Sequence, residues 1–322
     1  MAGRGRLRLF GCSSRCTRLW RGLLWLVLFH SALAWPGPDL VVVAPGVYAL
    51  IGDSGEISAQ NRGAVGNAGF IVGARGVVAI DTGISYRYGR EMLTTIAKLT
   101  PLPVELAVIS HPIQEFLFGA AAFQEQGVPI LAHVKTAELM RSRCAVCLKN
   151  LRRSLGEEEM RGSRVVVPDR LVQRSAWLSV AGRDLEVLYF RAASTPGDLA
   201  IFDRTSGVLF AGGLVSVGRI PELRDADLRG WIDALQQLDK LPIKSVVPAH
   251  GPVIGRKQMK QTVDYLRALD AKVGALYRNG AGLSDTIAQA QLPAFASWSL
   301  YTVIHPQNVQ HVYLQLENED FK

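Results

Sequence analysis

Acidic residues are absent from the first 34 residues of the sequence, where six arginines occur. This basic stretch leads into an apolar run, residues 22–34, which is too short for a membrane span of about 20 residues. The run ends in Ala32-Leu33-Ala34, a pattern typical of a signal-peptide cleavage site. We therefore predict a signal peptide over residues 1–34 and a periplasmic or secreted mature chain without stable membrane insertion. An uncleaved N-terminal anchor is the alternative.

Cysteine is scarce, with four residues in the whole chain, and Cys12 and Cys16 fall within the predicted signal peptide. The mature chain keeps only the motif Cys-Ala-Val-Cys, formed by Cys144 and Cys147, so no second pair is present to complete a zinc site. Three interpretations stay open for this motif: a local disulfide in an oxidising compartment, a redox-active pair, and half of a zinc site.

A basic stripe with interleaved aromatic residues is also missing from the sequence, which argues against nucleic-acid binding. The formal net charge is +8, but six of these positive charges lie in residues 1–34, and the rest of the chain carries +2. We therefore expect no nucleic-acid partner. The expected partner is a small molecule or a periplasmic protein whose identity the sequence does not give.

Short apolar runs bounded by glycine-rich turns dominate the chain after residue 40 and predict β-strands. Two of them, Gly69–Gly73 and Gly76–Asp81, flank a predicted hairpin turn, and a helix is predicted over residues 88–99. Strands and helices then alternate twice. This order predicts an α/β fold with two sheets packed face to face and helices outside, a four-layer αββα sandwich. We place this domain at residues 35–255, with a C-terminal helical extension packed on it at 256–322.

Polar segments follow several of the predicted buried strands, where a rigid scaffold can hold functional side chains. They are Asp81, His111, the segment S-T-P-G-D at Ser194–Asp198, and P-A-H-G around His250. Together with N-A-G-F-I-V-G, S-H-P-I-Q-E-F-L-F-G and L-F-A-G-G-L, these motifs resemble the metallo-β-lactamase superfamily over roughly residues 47–255. The resemblance implies the αββα fold and, in typical members, two zinc ions that activate a water for hydrolysis.

A narrower resemblance rests on the Cys-x-x-Cys helix and on the tail motif H-P-Q-N-V-Q-H-V-Y. These features are similar to the quinoprotein relay system zinc metallohydrolases, a periplasmic group linked to quinoprotein dehydrogenase systems. The loop at residues 52–66 further resembles the loop that lies over the pocket in this fold.

The zinc motif that the resemblance implies is largely replaced in this chain. His111 and His250 match its first and last histidines, and Glu115 stands at the position of an aspartate. The other four ligand positions are vacated, and they hold Ile113, Phe116, Ser194 and Gly213. Isoleucine, phenylalanine and glycine side chains offer no lone pair, serine is a poor zinc ligand, and a catalytic zinc normally needs three protein ligands.

We therefore expect an exported pseudoenzyme that binds a ligand or a partner. We expect it to have no cofactor, and the sequence identifies no catalytic residue. The alternative is a hydrolase of an ester, thioester or lactam with one zinc on a residual site of His111, Glu115 and His250. Whether the protein is an enzyme stays open at this point.

Other polar residues are expected to have structural roles. Asp81 is expected to support the fold, and Asp198 to orient the turn that contains it. Glu157, Glu158 and Glu159 form a charge run that is expected to face solvent on a helix. His305 and His311 are expected to lie outside the pocket.

Overall fold

Two β-sheets lie at the centre of the fold in a computed structural model that describes residues 37–320. The signal peptide predicted for residues 1–34 lies outside the described residues and stays a prediction. Among the described residues, no helix combines the length and apolar character needed to cross a membrane.

The first sheet has seven strands, which lie side by side in the order in which they occur in the chain. Neighbouring strands are antiparallel from the first to the fourth and parallel from the fourth to the seventh. The strands are β1 (Asp39–Ala44), β2 (Val47–Ile51), β3 (Ala68–Val72), β4 (Val77–Ile80), β5 (Val104–Val108), β6 (Ile130–His133) and β7 (Arg170–Val172).

The second sheet has six strands in the spatial order β13-β12-β11-β10-β9-β8. Its pairs are antiparallel except for β11 and β12, which are parallel. The strands are β8 (Ala176–Val180), β9 (Arg183–Tyr189), β10 (Leu199–Asp203), β11 (Val208–Ser216), β12 (Ser245–His250) and β13 (Ile254–Gly255).

Within residues 37–320, seven α-helices cover the outer faces of the two sheets. Two of them begin at side-chain caps: Ser85 accepts a hydrogen bond from the Tyr88 amide, and Asp227 accepts one from the Gly230 amide. The helices are α1 (Tyr86–Leu99), α2 (Ala120–Glu125), α3 (Val134–Leu155), α4 (Leu228–Leu238), α5 (Lys260–Arg278), α6 (Leu283–Gln289) and α7 (Tyr301–Asp320).

Three clusters of buried apolar side chains define the layers. One lies between the sheets and joins residues such as Ile71 of β3 with Phe210 of β11. A second packs α1, α2 and α3 on the first sheet, and a third packs α4, α5 and α7 on the second sheet. This arrangement confirms the predicted αββα sandwich. The helices after residue 255 share the third cluster, in which Tyr265 and Val309 are fully buried.

Candidate functional site

The site is built where β4, β5 and β12 end, next to the segment that precedes β10. Asp81 follows β4 with a left-handed backbone (φ 58°) and accepts hydrogen bonds from the Ser110 amide (2.9 Å) and hydroxyl (2.8 Å). Ser110 Oγ also lies 2.7 Å from His111 Nδ1. This chain of contacts fixes the imidazole ring of His111, so Asp81 has the structural role expected of it. Burial raises the pKa of Asp81 to about 7, against the two hydrogen bonds from Ser110.

His111 and His250 are both neutral because the protein buries them. Burial lowers the pKa of His111 to about 3. The pKa of His250 is also lowered well below its usual value, first by burial and then by the charge of Arg219. The Nε2 atom of His250 is buried and has no hydrogen-bond partner. The backbone on both sides of His250 is held by Asn67, whose Nδ2 donates to Pro248 O (2.9 Å) and to Gly251 O (2.8 Å).

Phe116 fills the space between the two histidines. Its ring centroid lies 4.3 Å from that of His111 and 5.6 Å from that of His250, and the side chain is 1% exposed. The ring also packs on Gly66, where an added Cβ would come within 2.6 Å of it. Only glycine therefore lets residues 52–66 pass this close to the ring. An apolar aromatic group takes the place that a third metal-binding histidine has in the motif.

Gly213, at the position of the bridging aspartate, has no room for a side chain. A Cβ there would lie 2.6 Å from Ser194 Oγ and 2.9 Å from His111 Cδ2. Ser194 itself is engaged, because its hydroxyl donates to Asp198 Oδ1 (2.9 Å). Asp198 Oδ2 accepts from the Thr195 amide (2.7 Å), so Asp198 organises its turn as expected. Burial raises the pKa of Asp198 to about 6.

Glu115 faces Arg219, a buried cation that none of the sequence motifs indicates. Arg219 Nη2 lies 3.8 Å from Glu115 Oε1, and both side chains are about 95% buried. Burial and, next, the charge of Glu222 raise the pKa of Glu115 to about 7, while Arg219 opposes this rise. Glu115 Oε2 is buried without a hydrogen-bond partner. The only sequence signal for Arg219 is a single cation after a buried strand, in V-S-V-G-R-I-P.

Arg219 also joins three segments of the chain. Its Nη1 donates to Gly55 O (2.5 Å) and Ser54 O (3.4 Å) in the loop of residues 52–66. Its backbone forms a bridge with Ser299, which lies just before α7. The adjacent Ile220 amide donates to Ser299 O (3.0 Å). We call these contacts the Arg219 junction.

A cavity of about 50 Å³ lies among these groups. Such a volume holds one or two water molecules. The residues that line it include His111, Ile113, Glu115, Ser194, Thr195, Gly213, Arg219, Glu222 and His250.

The side chains at this site do not fit a zinc ion. Among residues 37–320, no group of three or more His, Cys, Asp or Glu side chains is placed to hold a metal. The residual set of His111, Glu115 and His250 is not found as such a group, and it stays the alternative that the sequence left open. The permanent charge of Arg219 beside Glu115 further opposes a divalent cation.

Cys144 and Cys147 lie on α3 as free thiols, and no metal group among residues 37–320 includes them. The local disulfide, the redox pair and the half zinc site stay predictions. One other sequence interpretation needs correction. The prediction that Glu159 faces solvent is wrong. Glu159 is 7% exposed and binds Arg62 (2.9 Å) and Ser85 (3.1 Å), because the chain turns back after α3.

His305 and His311 lie in α7 and bind backbone carbonyls outside that helix. His305 Nε2 is 2.8 Å from Ala290 O, and His311 Nε2 is 3.1 Å from Ala226 O. Neither residue lines the cavity beside His250.

Comparisons with known proteins agree with the fold described above. The sequence profile of the "Metallo-beta-lactamase superfamily" matches residues 61–250. No curated protein matches the sequence. Among solved structures, a metallo-beta-lactamase from Pontibacter korlensis is similar at 23% identity with a TM-score of 0.58, over 71% of this chain and 99% of that one.

A second similar structure is the stereoselective inverting sec-alkylsulfatase Pisa1 from Pseudomonas sp.. It shares 20% identity with a TM-score of 0.66, over 86% of this chain and 50% of that chain. A metallo beta lactamase from Erythrobacter litoralis aligns at 19% identity and a TM-score of 0.56, over 72% and 97% of the two chains. At these identities, the structural likeness shows the fold alone.

Proposed function

We propose, from the premise that this chain belongs to the metallo-beta-lactamase superfamily, that it uses the fold for binding and not for zinc-dependent hydrolysis. The observation that carries this proposal is the position of Phe116, whose ring packs against both remaining histidines. A ring in that place puts an apolar group where the motif has a metal-binding histidine. The ligand is a small molecule, or a segment of a partner protein, that contacts the polar rim of the cavity.

The donor set supports the proposal independently of Phe116. Five of the seven ligand positions of the superfamily motif are substituted, and Ile113, Phe116 and Gly213 offer no donor atom. Ser194 could offer its hydroxyl, but that group already donates to Asp198. Moving it would leave a buried carboxylate with one hydrogen bond fewer, which costs about 1–3 kcal/mol.

The electrostatics of the cavity also favour a ligand other than a metal. Arg219 keeps its charge, whereas the two histidines are neutral and the pKa of Glu115 is raised to about 7. The other carboxylate of the lining, Glu222, already binds Arg224 (3.0 Å). Burying a divalent cation beside Arg219 would add repulsion to the cost of removing its water.

We also propose that the protein acts outside the cytoplasm, in the periplasm or after secretion. The support is the arginine-rich N-terminus, its apolar run and the Ala32-Leu33-Ala34 pattern. A link to quinoprotein systems belongs to this proposal, and it rests on the resemblance of the Cys-x-x-Cys segment and the tail. Determining the N-terminus of the protein made by its own host tests the export. A first residue at Trp35 is expected, and a chain that keeps residues 1–34 would contradict cleavage.

Metal content and hydrolysis test the main proposal together. The chain is purified without chelator after growth with added zinc, and zinc per chain is measured by mass spectrometry. Activity is assayed on an ester, a thioester and a lactam. We expect far less than one zinc per chain and no turnover. The matched control is His250→Ala, because zinc bound adventitiously elsewhere should remain in that variant.

One observation favours the alternative of an altered hydrolase with a single metal. His250 Nε2 and Glu115 Oε2 are both buried and have no partner, which is unusual for buried polar atoms. One zinc per chain that is lost in His250→Ala, together with activity lost in the same variant, would favour that alternative and refute the binding role.

A further inference from the structure

Cys144 and Cys147 form a compact pair on one side of α3, which runs from Val134 to Leu155. Their spacing of three residues places the two side chains on neighbouring turns of the same helix face. Both pack against the cluster that joins α3 to the first sheet. Cys144 is 1% exposed, whereas Cys147 is half-buried and reachable from solvent. Both thiols are free, and they differ in their exposure to solvent.

We propose that this pair carries out thiol–disulfide exchange, in which the accessible Cys147 attacks a low-molecular-weight disulfide and the buried Cys144 resolves the product. Neither thiol lines the cavity at His111 and His250. The inference therefore does not depend on whether that cavity binds a ligand.

The surroundings of the thiols match these two roles. A hydrogen bond from the Cys144 thiol is the main cause that lowers the pKa of Cys147 to about 6, and the charges of Arg224 and Arg143 add to it against burial. The same hydrogen bond raises the pKa of Cys144. Cys147 is thus the thiolate and Cys144 the protonated partner at neutral pH.

Charged groups near the thiols favour an anionic disulfide over a neutral one. Arg143 and Arg224 are the two guanidinium groups whose charges act on Cys147. Each has an acidic partner, since Arg143 binds Asp225 (2.6 Å) and Arg224 binds Glu222 (3.0 Å). Because Arg143 and Arg224 are about half or more exposed, they stay available to a ligand in solution. Cys147 is half-buried, which favours a small disulfide over a disulfide held in a folded protein.

The exchange balances without any further reagent. The Cys147 thiolate attacks one sulfur of R–S–S–R, a bond from Cys147 to that sulfur forms, and RS⁻ leaves. Cys144 then loses its proton to solvent or to the departing RS⁻ and attacks the Cys147 sulfur, which releases the second RS⁻. Two thiols of the protein are oxidised to one disulfide, and one small disulfide is reduced to two thiols.

Helix geometry predicts that the product is readily reduced again. Cβ atoms three residues apart on an α-helix lie about 5–6 Å from each other. A disulfide requires about 3.5–4.5 Å between them, so the turn of α3 must tighten when the bond forms. A disulfide strained in this way has a more oxidising reduction potential, so small thiols reduce it readily.

Oxidised glutathione, which is an anionic disulfide, is the probe for the test. The full chain is incubated with it, and peptide mapping by mass spectrometry separates Cys144 and Cys147 from Cys12 and Cys16. We expect an intramolecular disulfide with two glutathione molecules released per oxidised pair. Cys144→Ser should stop at a mixed disulfide on Cys147, and Cys147→Ser should not react at position 144. Added reduced glutathione should reverse the oxidation.

Alkylation rates across pH supply a readout that does not need the disulfide to form. In the wild-type chain, alkylation of Cys147 should have a midpoint near pH 6. Cys144→Ser keeps a hydroxyl donor and should keep a low midpoint. Cys144→Ala should move the midpoint toward about 8.5 and slow alkylation at pH 7 about two- to threefold, because the smaller thiolate fraction is largely offset by higher nucleophilicity.

Two results would overturn the proposal. One is a wild-type chain that stays a dithiol in excess oxidised glutathione. The other is first labelling at Cys144 and not at Cys147. Both are read on the wild-type chain, so they hold even where a variant fails to fold.

Discussion

Replacing Gly213 by alanine tests whether the cavity has closed over the position of the bridging aspartate. The backbone of Gly213 is not left-handed, so alanine is permitted there and any cost must come from contacts. The new Cβ would lie 2.6 Å from Ser194 Oγ and 2.9 Å from His111 Cδ2, where ordinary contacts begin at 3.4 Å. One of these groups must therefore shift by more than half an ångström.

The magnitude follows from what such a shift disturbs. Overpacking a buried site costs about 1–3 kcal/mol. Displacing Ser194 also weakens its 2.9 Å hydrogen bond to Asp198, which adds about 1 kcal/mol. We expect Gly213→Ala to lower the free energy of unfolding by about 2–4 kcal/mol. Gly213→Asp should cost at least as much and should not create a zinc site.

Urea denaturation followed by circular dichroism measures this loss. The matched control is Gly255→Ala, because its Cβ would meet nothing closer than 3.6 Å and its φ is −82°. That control should change stability by less than about 1 kcal/mol, with a gain as the expected sign. If Gly213→Ala is as stable as the control, the cavity is open and the argument that it has closed is wrong. Bound zinc in Gly213→Asp would refute it more directly.

Three further predictions concern residues around the site. Asn67→Ala should lower the free energy of unfolding by about 2–4 kcal/mol in urea denaturation, because it removes three hydrogen bonds of 2.8–2.9 Å made by a buried side chain. The control Asn150→Ala, on the exposed face of α3, should change the free energy of unfolding little. Burial raises the pKa of Glu115 from 4.5 to about 7, so the folded chain holds a proton that the unfolded chain releases, and stability falls as pH rises through this window. Glu115→Gln should lack this fall and gain on the order of 2–3 kcal/mol relative to wild type between pH 5 and pH 8; a constant difference across pH would contradict the pKa direction. Glu159→Gln should cost about 2 kcal/mol through the loss of its pairing with Arg62, whereas Glu157→Gln, with a side chain 80% exposed, should cost less than about 0.5 kcal/mol.

The elements that could be predicted from the sequence are those with local causes. The strands at Ala68–Val72 and Val77–Ile80 follow from apolar runs around a short turn, and α1 follows from its spacing and the Ser85 cap. The strand Ala176–Val180 was not predicted, because three of its five residues are exposed. The feature that marks this strand is the turn at Ala181 and Gly182 that follows it. Both residues have positive φ, and such a pair is typical of a tight hairpin.

The parts of the site that could not be predicted depend on contacts between distant segments. Glu159 is buried because Arg62 reaches it across 97 residues of sequence. Arg219 is held by carbonyls 164 and 165 residues away, and nothing near it in sequence indicates that it would be buried. Motif positions identified the vacated ligands, but only the three-dimensional structure shows that Phe116 packs between the histidines.

The Arg219 junction has a consequence for the rate at which a ligand enters and leaves. Its guanidinium binds Ser54 and Gly55, its backbone binds Ser299, and Ser299 Oγ donates to Ser54 Oγ (3.4 Å). Under the proposed binding role, a ligand that took over these contacts of Arg219 would first require residues 52–66 and the segment before α7 to separate. Association limited by such an opening is slower than free diffusion and stops rising with ligand concentration. Dissociation through the same opening would be slow as well, so a long residence time is the expected consequence.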